Sequence, residues 1–183
     1  MKRHFLVCLS IMTMALVSGC SMQSADGLYA DGKEAYEAIT TKVHRDSVAI
    51  KAGKMSLQKF VQQYPADTRV DSALFMFAYC QGALGNRRGA AKTFIAVSRK
   101  YQNSPLAAKS LILAGGLQEE FRNHQQARET YVRLVELFPK HEFVQNGSAK
   151  FLIKNLGKPM SAWDMPALVD SLNAPVRATP VAK

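Results

Sequence analysis

The feature that most restricts the fold of this chain is a self-similarity at a spacing of 37 residues. The segments "QQYPADTRVDSALF", "RKYQNSPLAAKSLI" and "ELFPKHEFVQNGSAKF" align so that Tyr64, Tyr101 and Phe138 are 37 residues apart. The register continues upstream, where Gly53, Ala90 and Ala127 are equivalent, followed by Leu57, Phe94 and Tyr131, then Phe60, Val97 and Leu134, while Asn86 matches Asn123. Within each unit these positions fall at i, i+4 and i+7, which is one apolar stripe along a helix. A unit this short cannot bury its own apolar face, so neighbouring units must stack.

Each stripe is preceded by a second helical run, "DSALFMFAYCQGALG" and then "LAAKSLILAGGLQEEF", joined to its partner through "GNRRG" and "RNHQQ". The repeated unit is therefore helix-turn-helix and the expected class is all-α. Before the array, "LYADGKEAYEAITTKVHRDSVAI" reads as one helix with Tyr36, Ile39, Val43 and Ile50 on a face, paired with a helix from about Lys54 to Tyr64. After it, residues Glu142 to Leu156 read as one capping helix, apolar at Phe143, Phe151, Leu152 and Leu156 and ended by Gly157 and Pro159. Beyond lie a short helix around Ala167 to Leu172 and a Pro- and Ala-containing end expected to be disordered. Trp163 is expected to pack back onto the cap, the alternative being an exposed binding anchor.

The unit resembles a tetratricopeptide repeat, whose pattern ends in A-x3-F and then proline. The matching residues are Ala90 with Phe94, Ala127 with Tyr131, and the prolines Pro65 and Pro139. Earlier motif positions are occupied by Leu74, Phe77 and Ala78, and by Leu111, Ala114 and Gly115, while Gln81 and Gln118 stand where the family has tyrosine. The resemblance implies a right-handed α-solenoid. Units of this length ending in a Tyr-Pro-like corner are similar to the repeats of two bacterial envelope families: the outer-membrane lipoprotein subunit of the β-barrel assembly machine, and the periplasmic coordinator that works with the Tol-Pal system. The resemblance covers roughly residues 51–158.

The chain opens with "MKRHFLVCLSIMTMALVSGC", in which Lys2 and Arg3 precede an apolar run from Phe5 to Val17 and small residues at Ser18 and Gly19. That is the anatomy of a secretory signal, and the run is shorter than the about 20 residues needed to cross a bilayer. "VSGC" resembles the bacterial lipoprotein signal, which implies that Cys20 is acylated and begins the mature protein, with a plain secretory signal as the alternative. Several buried acyl chains, each worth about 0.8 kcal/mol per CH2, hold a domain on a membrane without spanning it. Ser21, rather than Asp, follows the cysteine and by the same resemblance implies the periplasmic face of the outer membrane. The expected divisions are a signal peptide over 1–19, a lipidated linker over 20–27, the helical array with its cap over 28–158, and a tail over 159–183.

The formal charge of +10 falls to +8 once Lys2 and Arg3 leave with the signal. Cys8 leaves with it too, and with Cys20 lipidated Cys80 has no partner, which excludes a disulfide framework or a zinc pattern. The apolar run "ALFMFAYC" around Cys80 points to a buried, inert thiol. No nucleophile-base arrangement, phosphate loop or paired metal ligand set appears, so no catalytic residue, metal or cofactor is assigned. His44, His124 and His141 lie in different repeats and receive no role.

From Ser72 to Gln118 there is no Asp or Glu, while Arg87, Arg88, Lys92, Arg99, Lys100 and Lys109 all occur there. At roughly 100° per residue, Arg88, Lys92 and Arg99 share one face nearly opposite Phe94, Val97 and Tyr101, and must point outward. That basic face is either simply solvated or set toward an acidic partner, lipid phosphate or lipopolysaccharide. The export signal disfavours nucleic acid as a partner. The family resemblance places the first helix of each pair along a concave groove, which assigns Phe75, Tyr79, Lys109, Ile112 and Glu119 to partner binding; the competing reading makes Phe75 and Tyr79 ordinary core. The expected function is a non-catalytic scaffold binding envelope proteins or peptides, in outer-membrane protein assembly. A coordinator of Tol-Pal or of peptidoglycan enzymes and a lipid-binding lipoprotein are the alternatives, and the oligomeric state is left open.

Overall fold

The computed structural model describes residues 23–41 and 46–163, with Pro166 beyond them; the leader, Cys20, Val43, His44 and the helix expected from Ala167 lie outside the described residues. Among the described residues eight α-helices follow in order: α1 Ala25–Thr41, α2 Ser47–Gln63, α3 Val70–Ala83, α4 Arg87–Lys100, α5 Leu106–Glu120, α6 His124–Leu137, α7 Glu142–Gln145 and α8 Ser148–Asn155, then a 3-10 turn at Met160–Ala162. Each of α1 to α5 packs on the next, α6 packs on α8, and α3 also touches α1 and α5. This is an α-solenoid of helix pairs.

The repeat is reproduced at the level of backbone geometry. Tyr64, Tyr101 and Phe138 end α2, α4 and α6 with nearly the same dihedrals, φ −126, −124 and −129° and ψ 55, 56 and 54°. Their N–H groups donate to Phe60, Val97 and Leu134 four residues back, at 2.8, 2.9 and 2.9 Å. Three residues after each corner a side chain of different type accepts from the backbone two positions further on. Asp67 Oδ1 accepts from Arg69 N, Ser104 Oγ from Leu106 N and His141 Nδ1 from Phe143 N, at 2.9, 3.1 and 3.2 Å. Such local bonds satisfy N–H groups that a starting helix leaves without partners. At the first corner Arg69 also pairs with Asp67 and Asp26 and lies over the rings of Tyr29 and Phe60, tying α1 to the start of α3. Its hydrogen bonds hold the Asp67 carboxyl down at about 2.

The apolar stripe is the core. Leu57, Phe60, Ala90, Phe94, Val97, Ala127, Tyr131 and Leu134 are all at most 3% exposed. The two helices of a unit are fastened by a second repeated feature: Thr93 Oγ1 donates to Gln81 Oε1, and 37 residues on Thr130 Oγ1 donates to Gln118 Oε1, both at 2.8 Å. The glutamines that replace the family's tyrosine thus supply an inter-helix hydrogen bond.

Two expected boundaries are corrected. The run expected as one helix up to Ile50 is split, and Ile50 belongs to α2, because Asp46 accepts from Val48 N at 2.8 Å and starts a new helix. The split lets α1 and α2 lie antiparallel and bury Ile39 and Ile50 together in one core. The capping helix expected from Glu142 to Leu156 is also two helices. Gly147 between them has φ +85°, which breaks helical geometry, and Asn146 Oδ1 accepts from Ser148 N at 3.0 Å to begin α8. Trp163 packs as expected, with its ring 5.7 Å from that of Phe151 and its Nε1 donating to the Lys158 carbonyl at 3.1 Å.

Gly85 and Arg122 are repeat equivalents in the turns before α4 and α6, and both are left-handed, with φ of +86° and +56°. Left-handed backbone costs a residue with a Cβ about 1–2 kcal/mol. Gly85→Ala, where an added Cβ meets nothing within 4 Å, is expected to lower stability by about 1 kcal/mol, and Arg122→Gly to raise it by up to about 1 kcal/mol, both read from urea midpoints.

Candidate functional site: the two faces of the helical array

The first helices of the units, α1, α3 and α5, bring an aromatic group together on one face. Tyr79 of α3 stands edge-on to Tyr36 of α1 with ring centroids 5.1 Å apart, and it meets Phe75 at 5.2 Å and Phe94 at 5.6 Å. The Lys109 ammonium of α5 lies 5.7 Å from the Phe75 ring centroid.

This arrangement corrects the assignment of Phe75 to a partner-binding groove. It is 3% exposed and belongs to the core, because α1 covers it with Tyr36 and α4 backs it with Phe94. Tyr79 is half-buried, and burial pushes its hydroxyl up from the ordinary value. Ile112 is half-buried against the core of the second unit. Glu119 accepts a hydrogen bond from the Tyr131 hydroxyl and is thereby engaged in joining α5 to α6; burial, together with that bond, pushes the Tyr131 hydroxyl far up. Of the five assigned residues only Lys109 is exposed.

Arg88, Lys92 and Arg99 are all exposed on α4. Arg88 lies over the Phe121 ring at 5.3 Å, a cation-π contact. Lys92 and Arg99 instead line a groove of about 950 Å³, with α4 and α6 as walls and Leu111 and Gln118 of α5 at its floor. The α6 wall carries Arg128, Glu129, Val132, Arg133, Glu136 and Leu137. This groove lies on the side of the second helices, not on the first-helix side that the family resemblance implies. Sequence reasoning named Lys92 and Arg99 of the α4 wall, as part of a basic face, and missed the α6 wall. The repeat register held the signal, since Lys92, Ile95, Ala96 and Arg99 are equivalent to Glu129, Val132, Arg133 and Glu136.

Cys80 is buried, with its thiol pushed up to about 11 by that burial, as an inert core cysteine requires. His141 is a cap at a helix start, and no group of three or more possible metal ligands occurs among the described residues. No helix among them is long and apolar enough to cross a membrane.

The family model for the tetratricopeptide repeat matches residues 72–104 and 109–141. Each matched segment is similar to a tetratricopeptide repeat. They coincide with the α3–α4 and α5–α6 pairs, so the family's unit is also this structure's unit. No curated protein and no solved structure matches the chain. Tetratricopeptide arrays are typically interaction scaffolds rather than catalysts, and they point to protein partners.

Proposed function

We infer that the protein is a lipid-anchored, non-catalytic scaffold that binds other polypeptides of the cell envelope, most closely in outer-membrane protein assembly. The observation that carries the binding function is the run of stacked, tetratricopeptide-like helix pairs, which presents long faces to other molecules. The ending "LVSGC" supports the anchor at Cys20, with Ser21 favouring the periplasmic face of the outer membrane. A tethered array of this kind holds a client or partner subunit near the membrane where assembly occurs.

Cells lacking the chain are expected to accumulate less folded outer-membrane β-barrel protein, and the wild type is expected to restore it. Cys20→Ser is expected to move the exported protein from the membrane fraction to the soluble periplasmic fraction, since a single lost acylation site removes every buried chain. A Cys20→Ser protein that stays firmly on membranes overturns the anchor. Unchanged barrel levels alongside a defect in Tol-Pal or peptidoglycan function select the coordinator reading instead.

A further inference from the structure

The groove between α4 and α6 has a charge pattern of its own. Lys92 and Arg99 project from one wall and Arg128 and Arg133 from the other, against Glu129 and Glu136. Among the described residues none of the four cations forms an ion pair. Arg128 donates only to the Leu156 carbonyl, at 2.9 Å, and Arg133 Nε is buried with no hydrogen-bond partner. A buried guanidinium nitrogen without an acceptor is costly, and among the described residues no carboxylate pairs with this group. Between the charges lie Ile95 and the exposed Val132 and Leu137, 37% and 39% accessible.

We propose that this groove on the second-helix side docks an acidic, amphipathic polypeptide segment, with carboxylates toward Lys92, Arg99 and Arg133 and an apolar edge toward Ile95, Val132 and Leu137. The proposal rests on the scaffold reading and specifies its site and partner chemistry. Charge complementarity selects the occupant: four cations without ion pairs exceed two carboxylates, and no acidic residue occurs from Ser72 to Gln118. A polypeptide is favoured over a lipid surface for two reasons. The site is concave, whereas a bilayer meets a flat or convex cationic patch. Glu129 and Glu136 repel phosphate but pair with a basic residue placed within an otherwise acidic segment.

The test uses the full chain in cells, with p-benzoylphenylalanine in place of the exposed Ala96 in the groove wall and, in a separate strain, in place of Lys109 on the opposite face. Mass spectrometry of the adducts maps the captured segment. The expected result is a polypeptide adduct at Ala96 whose cross-linked segment holds more Asp and Glu than Lys and Arg. Its yield should fall about tenfold when K92E and R99E are introduced together. Both positions are exposed, so the doubly reversed protein should retain its melting midpoint. A lipid or lipopolysaccharide adduct, a captured segment that is not acidic, or a yield unmoved by the reversals overturns the proposal. Capture from Lys109 with none from Ala96 removes the groove while leaving the scaffold reading standing, and no capture from either position removes both.

Discussion

Phe60→Ala is expected to destabilise the protein by about 3–5 kcal/mol, the range for emptying a fully buried aromatic site. Phe60 is 0% exposed and lies where the first corner is assembled. Its ring is 5.5 Å from that of Tyr29 in α1 and 5.9 Å from that of Tyr64, and the Arg69 guanidinium sits 5.4 Å from its centroid. Removing it takes the platform from under Arg69, and with it the tie from Arg69 to Asp26 in α1. In a stacked array each unit contacts only its neighbours, so the loss should be local. Hydrogen exchange is expected to quicken in α1 to α3 well before α5 and α6. Uniform quickening throughout would show that the array unfolds as one cooperative block.

Gly53→Ala is expected to cost about 2 kcal/mol, although the repeat register argues for it. Ala90 and Ala127 occupy the equivalent positions, and alanine in a helix interior gains about 1 kcal/mol over glycine. The structure opposes that gain. A Cβ on Gly53 would lie 2.3 Å from the Ala35 Cβ and 2.9 Å from the Asp31 carbonyl oxygen, and neither is the movable end of a flexible side chain. Overpacking of this kind costs about 1–3 kcal/mol and here requires α1 and α2 to separate. Urea denaturation measures the difference, and a variant as stable as the wild type would mean that the α1–α2 approach is looser than the structure shows.

These two sites illustrate what was legible in the sequence. The apolar stripe and the corner at Tyr64, Tyr101 and Phe138 are local and periodic, and the 37-residue spacing located each of them. The hydrogen bond from Thr93 to Gln81 also had a signal, because its 12-residue separation recurs in Thr130 and Gln118. The close approach at Gly53 had none, since glycine and alanine are interchangeable in a periodicity but not against the Asp31 carbonyl. Phe75 was ambiguous for a similar reason. Helix α3 is apolar on every side, and only the placement of Tyr36, 39 residues earlier, decides that the ring is covered. The breaks before α2 and at Gly147 depended on Asp46 and Asn146 acting as caps, a role these residue types share with ordinary turns. The groove required knowing that α4 and α6 face each other across α5, a long-range relation that no single helix carries.

The central claim is that the array works by binding another polypeptide of the envelope. Lysine cross-linking of the full-length chain in intact cells tests it most directly, because Lys59, Lys92, Lys100, Lys109 and Lys140 are exposed along the array. The account predicts cross-links from these lysines to other envelope proteins, concentrated within residues 72–141, which hold both matches to the tetratricopeptide-repeat model. Cross-links confined to pairs within the chain itself, at a protein level matching that in the cell, would contradict it.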